Sequence, residues 1–120
     1  MLKEQQLFDL YSSYGFTQGE ELYLPISHSL NFLQDCQQNE LAIIGIEGFI
    51  YENGEIIPQL DLIADFSSIS TSDWQNYQNI CNSAAKNFLL SVNIKDKSMV
   101  FNFVILSRYE WENSIYSRFK

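Results

Sequence analysis

The feature that most constrains the fold is a long apolar hairpin in the middle of the chain. Residues 41–51 read LAIIGIEGFIY, an isoleucine-rich run typical of a strand covered on both faces. Residues 52–55 read ENGE, and an Asn-Gly pair between two apolar segments predicts a type I′ turn with positive φ at both central residues. Residues 56–66 then predict the returning strand, in which Pro58 indicates an edge or a bulge.

A two-residue turn would also fix the register of this hairpin. Counting back from the turn pairs Glu52 with Glu55, Tyr51 with Ile56, Glu47 with Leu60 and Ile46 with Asp61. One face of the returning strand then carries Ile56, Leu60, Leu62, Ala64 and Phe66, and the other carries Gln59, Asp61 and Asp65. We therefore expect a cored hairpin with carboxylates at its tip and along part of one face.

The segments around the hairpin predict helices and one further strand. Apolar residues recur at helical spacing over 2–14, over 27–38 and from Ser72 to about Leu90, where a Ser72–Gln75 capping box begins the helix. Trp74, Tyr77, Cys81, Ala84, Ala85 and Phe88 form the apolar stripe of this last helix. Residues 18–24 are expected to be a connector.

The C-terminal part predicts a charged turn at 95–98 and a buried strand at 99–106, MVFNFVIL. A second capping box at Ser107 predicts a short closing helix carrying Trp111, Ile115 and Phe119, although a strand would also suit these residue types. Together the elements predict one α+β domain over residues 1–120. Its mainly antiparallel sheet has a central β-hairpin (about 41–51 and 56–66) and a later strand (about 99–106), packed by three or four helices. Which hairpin strand pairs with the later strand stays open.

Charge is distributed very unevenly along the chain. The net charge is −8, and residues 1–85 contain 12 acidic residues but a single base, Lys3. Most of these carboxylates have no basic neighbour in sequence, so they are expected to face solvent or a partner. A negative surface repels phosphates and anionic lipids, which argues against binding nucleic acid or membranes. It is suited either to solubility alone or to a cationic partner, whose association it would accelerate roughly 10- to 1000-fold.

Other features favour a cytoplasmic protein. No apolar run reaches the ~20 residues of a membrane span, and the first residues, MLKEQQ, lack the apolar stretch of a secretion signal. Cys36 and Cys81 are far apart and lie on apolar helical stripes, so we expect two buried free thiols. His28, the single histidine, is expected to be an exposed or capping residue.

Residue types that could support catalysis do not form a recognisable motif. Asp61 and Asp65 would lie ~13 Å apart on one strand face, too far to share a metal ion or to act as a glycosidase pair. Glu47 stands between two glycines in the apolar strand, where a buried carboxylate would need a hydrogen-bond donor or would serve as a catalytic acid. We assign Glu47 to structure and expect no catalytic residue, no cofactor and no metal.

The hairpin resembles a family of bacterial immunity proteins that are encoded beside polymorphic toxins, including those of contact-dependent growth inhibition systems. Four stretches carry the resemblance: 45–49 (GIEGF), 53–54 (NG), 57–58 (IP) and 61–67 (DLIADFS). The flanking helices fit in order, so the likeness covers about two-thirds of the chain. It implies a cytoplasmic protein that binds one cognate toxin domain tightly and has no catalytic activity.

An acidic surface fits this implication if the toxin is a basic nuclease, because carboxylates can take the place of phosphates in a cationic cleft. The expected partner-binding residues are Glu52, Glu55, Asp61, Asp65 and Asp73, with Tyr51 and Trp74 as aromatic anchors. Two alternatives stay open: an acidic adaptor or nucleic-acid-mimic regulatory module, and a small enzyme using Glu47. The activity of the toxin, the mode of inhibition and the oligomeric state do not follow from the sequence.

Overall fold

The computed structural model describes residues 1–92 and 98–114 and confirms the α+β class. The elements in chain order are α1 (Glu4–Tyr11), β1 (Phe16–Gln18), β2 (Glu21–Leu24), α2 (Ile26–Gln38), β3 (Leu41–Glu52), β4 (Glu55–Asp65), α3 (Trp74–Ser91), β5 (Met99–Ser107) and α4 (Arg108–Glu112). The strands form one antiparallel sheet in the order β1-β2-β5-β3-β4. The later strand, β5, therefore lies at the centre and pairs with β3, while β4 is an edge strand, as Pro58 indicated.

The N-terminal region differs from the expectation in two ways. The first helix is shorter than the predicted 2–14 and ends at Tyr11. Residues 18–24, expected to be a connector, contribute to a small hairpin in which Phe16 pairs with Tyr23 and Gln18 with Glu21. Strands of three and four residues are too short to show an alternating pattern, and β2 is held in place by pairing with β5 at the distant Asn102.

One face of the sheet packs against the helices and forms the main core. Leu7 of α1, Phe32 and Cys36 of α2, and Ile43 and Phe101 of the sheet are fully buried in it. We call this the helix face and the opposite side the open face. The helix face contains the alternate residues of each strand, as expected for an antiparallel sheet with a single principal core.

Helix α3 packs beside the first residues of β3, which have no partner in β4. The Asn82 side chain accepts a hydrogen bond from the Ile43 amide (2.8 Å) and donates to the Leu41 carbonyl (3.1 Å) and to Gln37 (2.7 Å). Gln78 also donates to the Leu41 carbonyl at 3.3 Å. These two buried side-chain amides form hydrogen bonds with the Ile43 N–H and the Leu41 C=O in place of a neighbouring strand, so these backbone groups are not left unpaired inside the protein.

The hairpin turn and the register from Phe49 to the turn are confirmed, but the predicted register farther from the turn is wrong. Asn53 and Gly54 have φ values of 51° and 78°, and the Glu52–Glu55 and Tyr51–Ile56 pairs form as expected. Farther from the turn, Glu47 pairs with Ile63 rather than with Leu60, and Ile46 pairs with Ala64 rather than with Asp61.

The cause is a bulge in which residues 59–62 of β4 lie opposite the single residue Gly48. A Cβ on Gly48 would come within 2.8 Å of the Leu62 Cβ, so the glycine leaves the space that the Leu62 side chain occupies. The bulge also changes the alternation along β4. Ile56 therefore lies on the face opposite to Leu62 and Ala64, although all three were expected to share a face.

A second, smaller core covers the open face where β3 begins. It consists of residues from α3, α4 and the sheet: Ala42, Trp74, Tyr77, Cys81, Leu106 and Trp111. Trp74, expected to be a surface anchor, is only 5% exposed and belongs to this core. Helix α3 begins one residue later than predicted, since Asp73 rather than Ser72 is the N-cap.

Two further expectations are confirmed. The Ser107–Glu110 capping box is confirmed at the start of α4, and both cysteines are buried and free. Residues 95–97 of the predicted turn, and Ile115 and Phe119 of the predicted closing helix, lie outside the described residues.

Candidate functional site

A row of side chains crosses the open face through all five strands. Backbone pairing places Ile63 beside Glu47, Glu47 beside Asn102, Asn102 beside Tyr23, and Tyr23 beside Phe16. At the ~4.8 Å spacing of neighbouring strands, the row is ~19 Å long. Ile63 is 49% exposed, which shows that this part of the open face meets solvent.

Four aromatic residues form a cluster on this face. Phe16 stacks on Tyr23 with ring centroids 5.1 Å apart and lies 4.5 Å from Tyr51, while Phe49 meets Tyr23 edge-on at 5.4 Å. Phe16, Tyr23 and Phe49 are half-buried, and Tyr51 is 41% exposed. Solvent-facing sides of antiparallel sheets are usually polar, so the cluster is an unusual apolar surface at this position.

Glu47 lies beside this cluster and is exposed, so the expectation that it sits in a strand covered on both faces is wrong. The second half of β3 packs against helix-face residues on one side only. The catalytic hypothesis for Glu47 required a buried carboxylate, and this carboxylate is not buried. Glu47 is instead a surface charge with Ile63 and Asn102 as its cross-strand neighbours.

Tyr23 connects the aromatic cluster with two carboxylates. Partial burial raises the pKa of its phenol, and the negative charges of Glu21 and Glu47 raise the pKa further. The hydroxyl therefore stays protonated in neutral solution and can donate a hydrogen bond. We call Phe16, Glu21, Tyr23, Glu47, Phe49 and Tyr51 the aromatic–acidic patch.

Asp65 lies close to the patch because it pairs with Gly45, two residues before Glu47. This places Glu47 and Asp65 diagonally across two strands, at ~7 Å. The Asp65 carboxylate accepts a hydrogen bond from the Ser67 amide at 2.9 Å, and the Ser67 bonds hold the Asp65 pKa below its usual value. Asp65 therefore stabilises the turn after β4 and also contributes a negative charge to the surface.

A shallow groove adjoins these two carboxylates. Its volume is about 260 Å³, and its lining includes Ile44, Gly45, Ile63 and Val104 together with Glu47, Asp65 and Ser67. Ile63 and Val104 are each about half exposed, at 49% and 48%. The groove extends the apolar surface of the open face past Glu47 in the direction away from the aromatic cluster.

The other predicted contact residues do not converge on one point. Glu52 and Glu55 form the exposed hairpin tip, seven residues from Gly45 along β3 and hence ~23 Å away. Asp61 lies in the bulge next to Leu60, which is 83% exposed. Asp73 is at the start of α3, where its carboxylate accepts from the Asn76 amide at 2.9 Å.

Of the predicted anchors, Tyr51 is on the open face and Trp74 is in the core. Sequence reasoning missed Phe16, Tyr23 and Phe49 as surface residues. The alternation of residues along β3 could have indicated this surface. Glu47, Phe49 and Tyr51 fall on one face of the strand, and Glu47 is the only charged residue within 41–51.

A larger cavity, about 590 Å³, lies at the opposite end of the sheet between the N-terminus and the start of α4. Glu4 and Glu110 both line it, as do Glu40 and Arg108. Partial burial raises the pKa of Glu4, and the charge of Glu110 adds to this effect. Arg108 lies 3.4 Å from Glu40 and 3.7 Å from Glu112, so much of the positive charge at this end is already paired.

The two cysteine thiols are buried, and the histidine ring is held against a tyrosine ring. Burial raises the pKa of the Cys36 thiol and raises that of Cys81 to about 11, so both stay protonated in neutral solution. His28 stacks on Tyr14 with ring centroids 4.5 Å apart. Within residues 1–92 and 98–114, no three His, Cys, Asp or Glu side chains come together in a way that could hold a metal ion.

No protein-family model matches the chain, and no curated protein sequence matches it. Across the part of the chain that the structure describes, no helix combines the length and apolar character that a membrane crossing requires.

Proposed function

We propose that this protein is an immunity protein, which binds a cognate toxin domain of basic character and neutralises it stoichiometrically. The observation that carries the proposal is the exposure of carboxylates along the β3–β4 hairpin. Glu47, Glu52, Glu55, Asp61 and Asp65 are all exposed. Both ion pairs found among the described residues involve Arg108, which lies at the other end of the sheet.

Exposed carboxylates that form no ion pair within residues 1–92 and 98–114 favour rapid capture of a cationic partner. Complementary fields raise association rates well above those of neutral surfaces, and like-charged molecules are rejected. A nuclease must present positive charge to its phosphate substrate, so an acidic protein of this size can compete for the same surface. The resemblance of residues 45–67 to immunity proteins supports a toxin domain as the partner, whereas the basic character of that domain is inferred from charge alone.

The direct test uses a toxin domain encoded by a neighbouring gene, which is where the resemblance to immunity proteins implies that it lies. We expect the purified protein to bind that domain, to abolish its activity at a one-to-one ratio, and to protect growing cells that express it. Relief of toxicity at far lower ratios would indicate turnover and would support the enzyme alternative. Binding of a basic protein without any loss of activity would support the acidic adaptor instead.

The contribution of the hairpin tip is tested by charge reversal. Replacing both residues, Glu52→Lys and Glu55→Lys, should slow association and reduce its salt dependence while the thermal melt stays unchanged, because both side chains are exposed. A matched control adds the same total charge on the helices at the exposed positions Gln5, Asn31, Gln34 and Gln38, each changed to Lys. Equal slowing in both proteins would show that only net charge matters, and not the hairpin.

A further inference from the structure

The two edges of the sheet are poorly suited to pairing with a partner's backbone. Strand β1 has only three residues, Phe16–Gln18. Strand β4 carries Pro58 and is interrupted by the bulge at residues 59–62. Short strands, prolines and bulges are the devices that protect sheet edges from strand addition. We therefore expect a partner to contact side chains on a face of the sheet.

The aromatic–acidic patch has the composition of a protein-binding surface. Aromatic rings supply large, rigid contact areas, and tyrosine in particular is enriched where interfaces gain most of their affinity. In this patch the rings of Phe16, Tyr23, Phe49 and Tyr51 are already held by contacts with each other. Little conformational freedom would be lost when a partner packs on them.

The charges around the rings specify what the patch can bind. Glu47 is a cross-strand neighbour of Asn102 in the row that leads to Tyr23, and Glu21 lies two residues from Tyr23 on the same face of β2. Aromatic ring faces and carboxylates both attract cations. A guanidinium suits such a site better than an ammonium, because it is planar, stacks on rings and can pair with a carboxylate through two N–H groups.

We propose that the aromatic–acidic patch binds an arginine side chain of the partner, which stacks on the exposed Tyr51 ring and the half-buried Phe49 ring and pairs with Glu47. This inference rests on the proposed function for the basic character of the partner, and it goes further in naming the face and the residue type. A second copy of this chain is a poor occupant, because a symmetric contact would bring Glu21 and Glu47 against the same carboxylates of the other molecule. Nucleic acid is repelled by the same charges.

The first experiment measures affinity for the cognate toxin domain by calorimetry or biolayer interferometry. Tyr51→Ala should weaken binding by about tenfold or more, as expected for an aromatic anchor. The matched control is Tyr109→Ala, since Tyr109 is 75% exposed on α4 and outside the patch. Glu47→Gln should weaken binding several-fold, whereas the exposed Asp9→Asn on α1 should have no effect.

Thermal melts of all four variants establish that the fold is intact. If the toxin domain is bound and neutralised but Tyr51→Ala and Glu47→Gln bind it like the unchanged protein, the patch is not the contact site and the proposed function still stands. Formation of a homodimer that Tyr51→Ala disrupts would also overturn the inference, because the patch would then be occupied by a second copy.

The second experiment is independent of the toxin. Blocked hexa-arginine and hexa-lysine peptides are titrated into ¹⁵N-labelled protein, and amide shifts are recorded. We expect the arginine peptide to bind more tightly and to shift residues of β2 and β3 around Tyr23 and Glu47, with the response reduced in Glu47→Gln. Shifts confined to the hairpin tip, or equal responses to both peptides, would overturn the inference whether or not a toxin is ever bound.

Discussion

Removing the Asn82 side chain should cost this protein a large part of its stability. In Asn82→Ala the Ile43 amide loses its acceptor at 2.8 Å, and Asn82 no longer donates to the Leu41 carbonyl or to Gln37. Leu41 keeps a partner in Gln78, but the Ile43 N–H is left buried without an acceptor. An unsatisfied buried donor costs roughly 1–3 kcal/mol and each lost neutral hydrogen bond about 1 kcal/mol.

The expected decrease in the free energy of unfolding is therefore about 3 kcal/mol, against a total of roughly 5–15 kcal/mol for a domain of this kind. At about 4 °C per kcal/mol for a chain of this length, the melting temperature should fall by about 12 °C. Urea denaturation monitored by circular dichroism measures the first quantity. Amide hydrogen exchange at Ile43 reports directly on the exposed edge of β3.

Two further variants separate this effect from other consequences of the substitution. Asn87→Ala makes the same change at an exposed position of α3 and measures helix propensity alone, which favours alanine by about 0.6 kcal/mol. Asn82→Asp keeps an acceptor for Ile43 but sets an oxygen against Leu41 and Gln37, so it should destabilise the fold at neutral pH and recover on acidification. If Asn82→Ala loses no more stability than Asn87→Ala, the amide does not satisfy the strand edge and the reasoning is wrong.

Three other predictions concern groups away from the aromatic–acidic patch. The Tyr11 hydroxyl donates to Asp35 at 2.6 Å, so Tyr11→Phe should lower the free energy of unfolding by about 2 kcal/mol in urea denaturation; no loss would show that the bond adds nothing. The pKa of Glu4 is raised in the folded protein, so the protonated carboxyl stabilises the fold at low pH and this stabilisation is lost as the pH rises through that pKa. Glu4→Gln should therefore melt at a higher temperature than the unchanged protein at pH 7, and at the same temperature below about pH 4. Cys36 and Cys81 are buried with raised pKa values, so a thiol reagent should label them only at the rate of unfolding, and rapid labelling of the native protein would contradict this.

Elements with strong local signals could be predicted from the sequence. The Asn53–Gly54 turn depends on two residues that tolerate positive φ, and the Ser107 capping box depends on a side chain three residues away. The interior stretch of α3 also follows from local periodicity. In each case the interactions that determine the structure lie within a few residues of one another along the chain.

Features that depend on distant contacts could not be predicted. The bulge in β4 depends on Leu62 occupying the space beside Gly48, and the two short N-terminal strands depend on pairing with β5. Asn82 and Gln78 have polar side chains, so they were not assigned to the buried stripe of α3. Their amides face a strand edge that only the sheet topology reveals.

The open face was missed for a related physical reason. An isoleucine-rich run such as residues 41–51 is typical of a strand buried on both faces, and the first part of β3 is indeed covered by both cores. Farther along, Phe49 and Tyr51 are shielded by neighbouring aromatic rings rather than by a helix, and Glu47 remains exposed. A pattern of hydrophobicity does not distinguish these two kinds of shielding.

The separation of the two faces has a consequence for how binding would work. Both cores lie away from Tyr51 and Glu47, so changes at these positions alter the surface while the packing that stabilises the fold is retained. In the proposed complex, charges on the hairpin would act over distance and set the association rate, whereas ring contacts would act only after docking and set the dissociation rate. Added salt should therefore slow association while leaving dissociation nearly unchanged, and Tyr51→Ala should do the reverse. Because the patch residues lie outside both cores, substitutions at a few positions of the open face could change binding specificity without any change in the sheet beneath them.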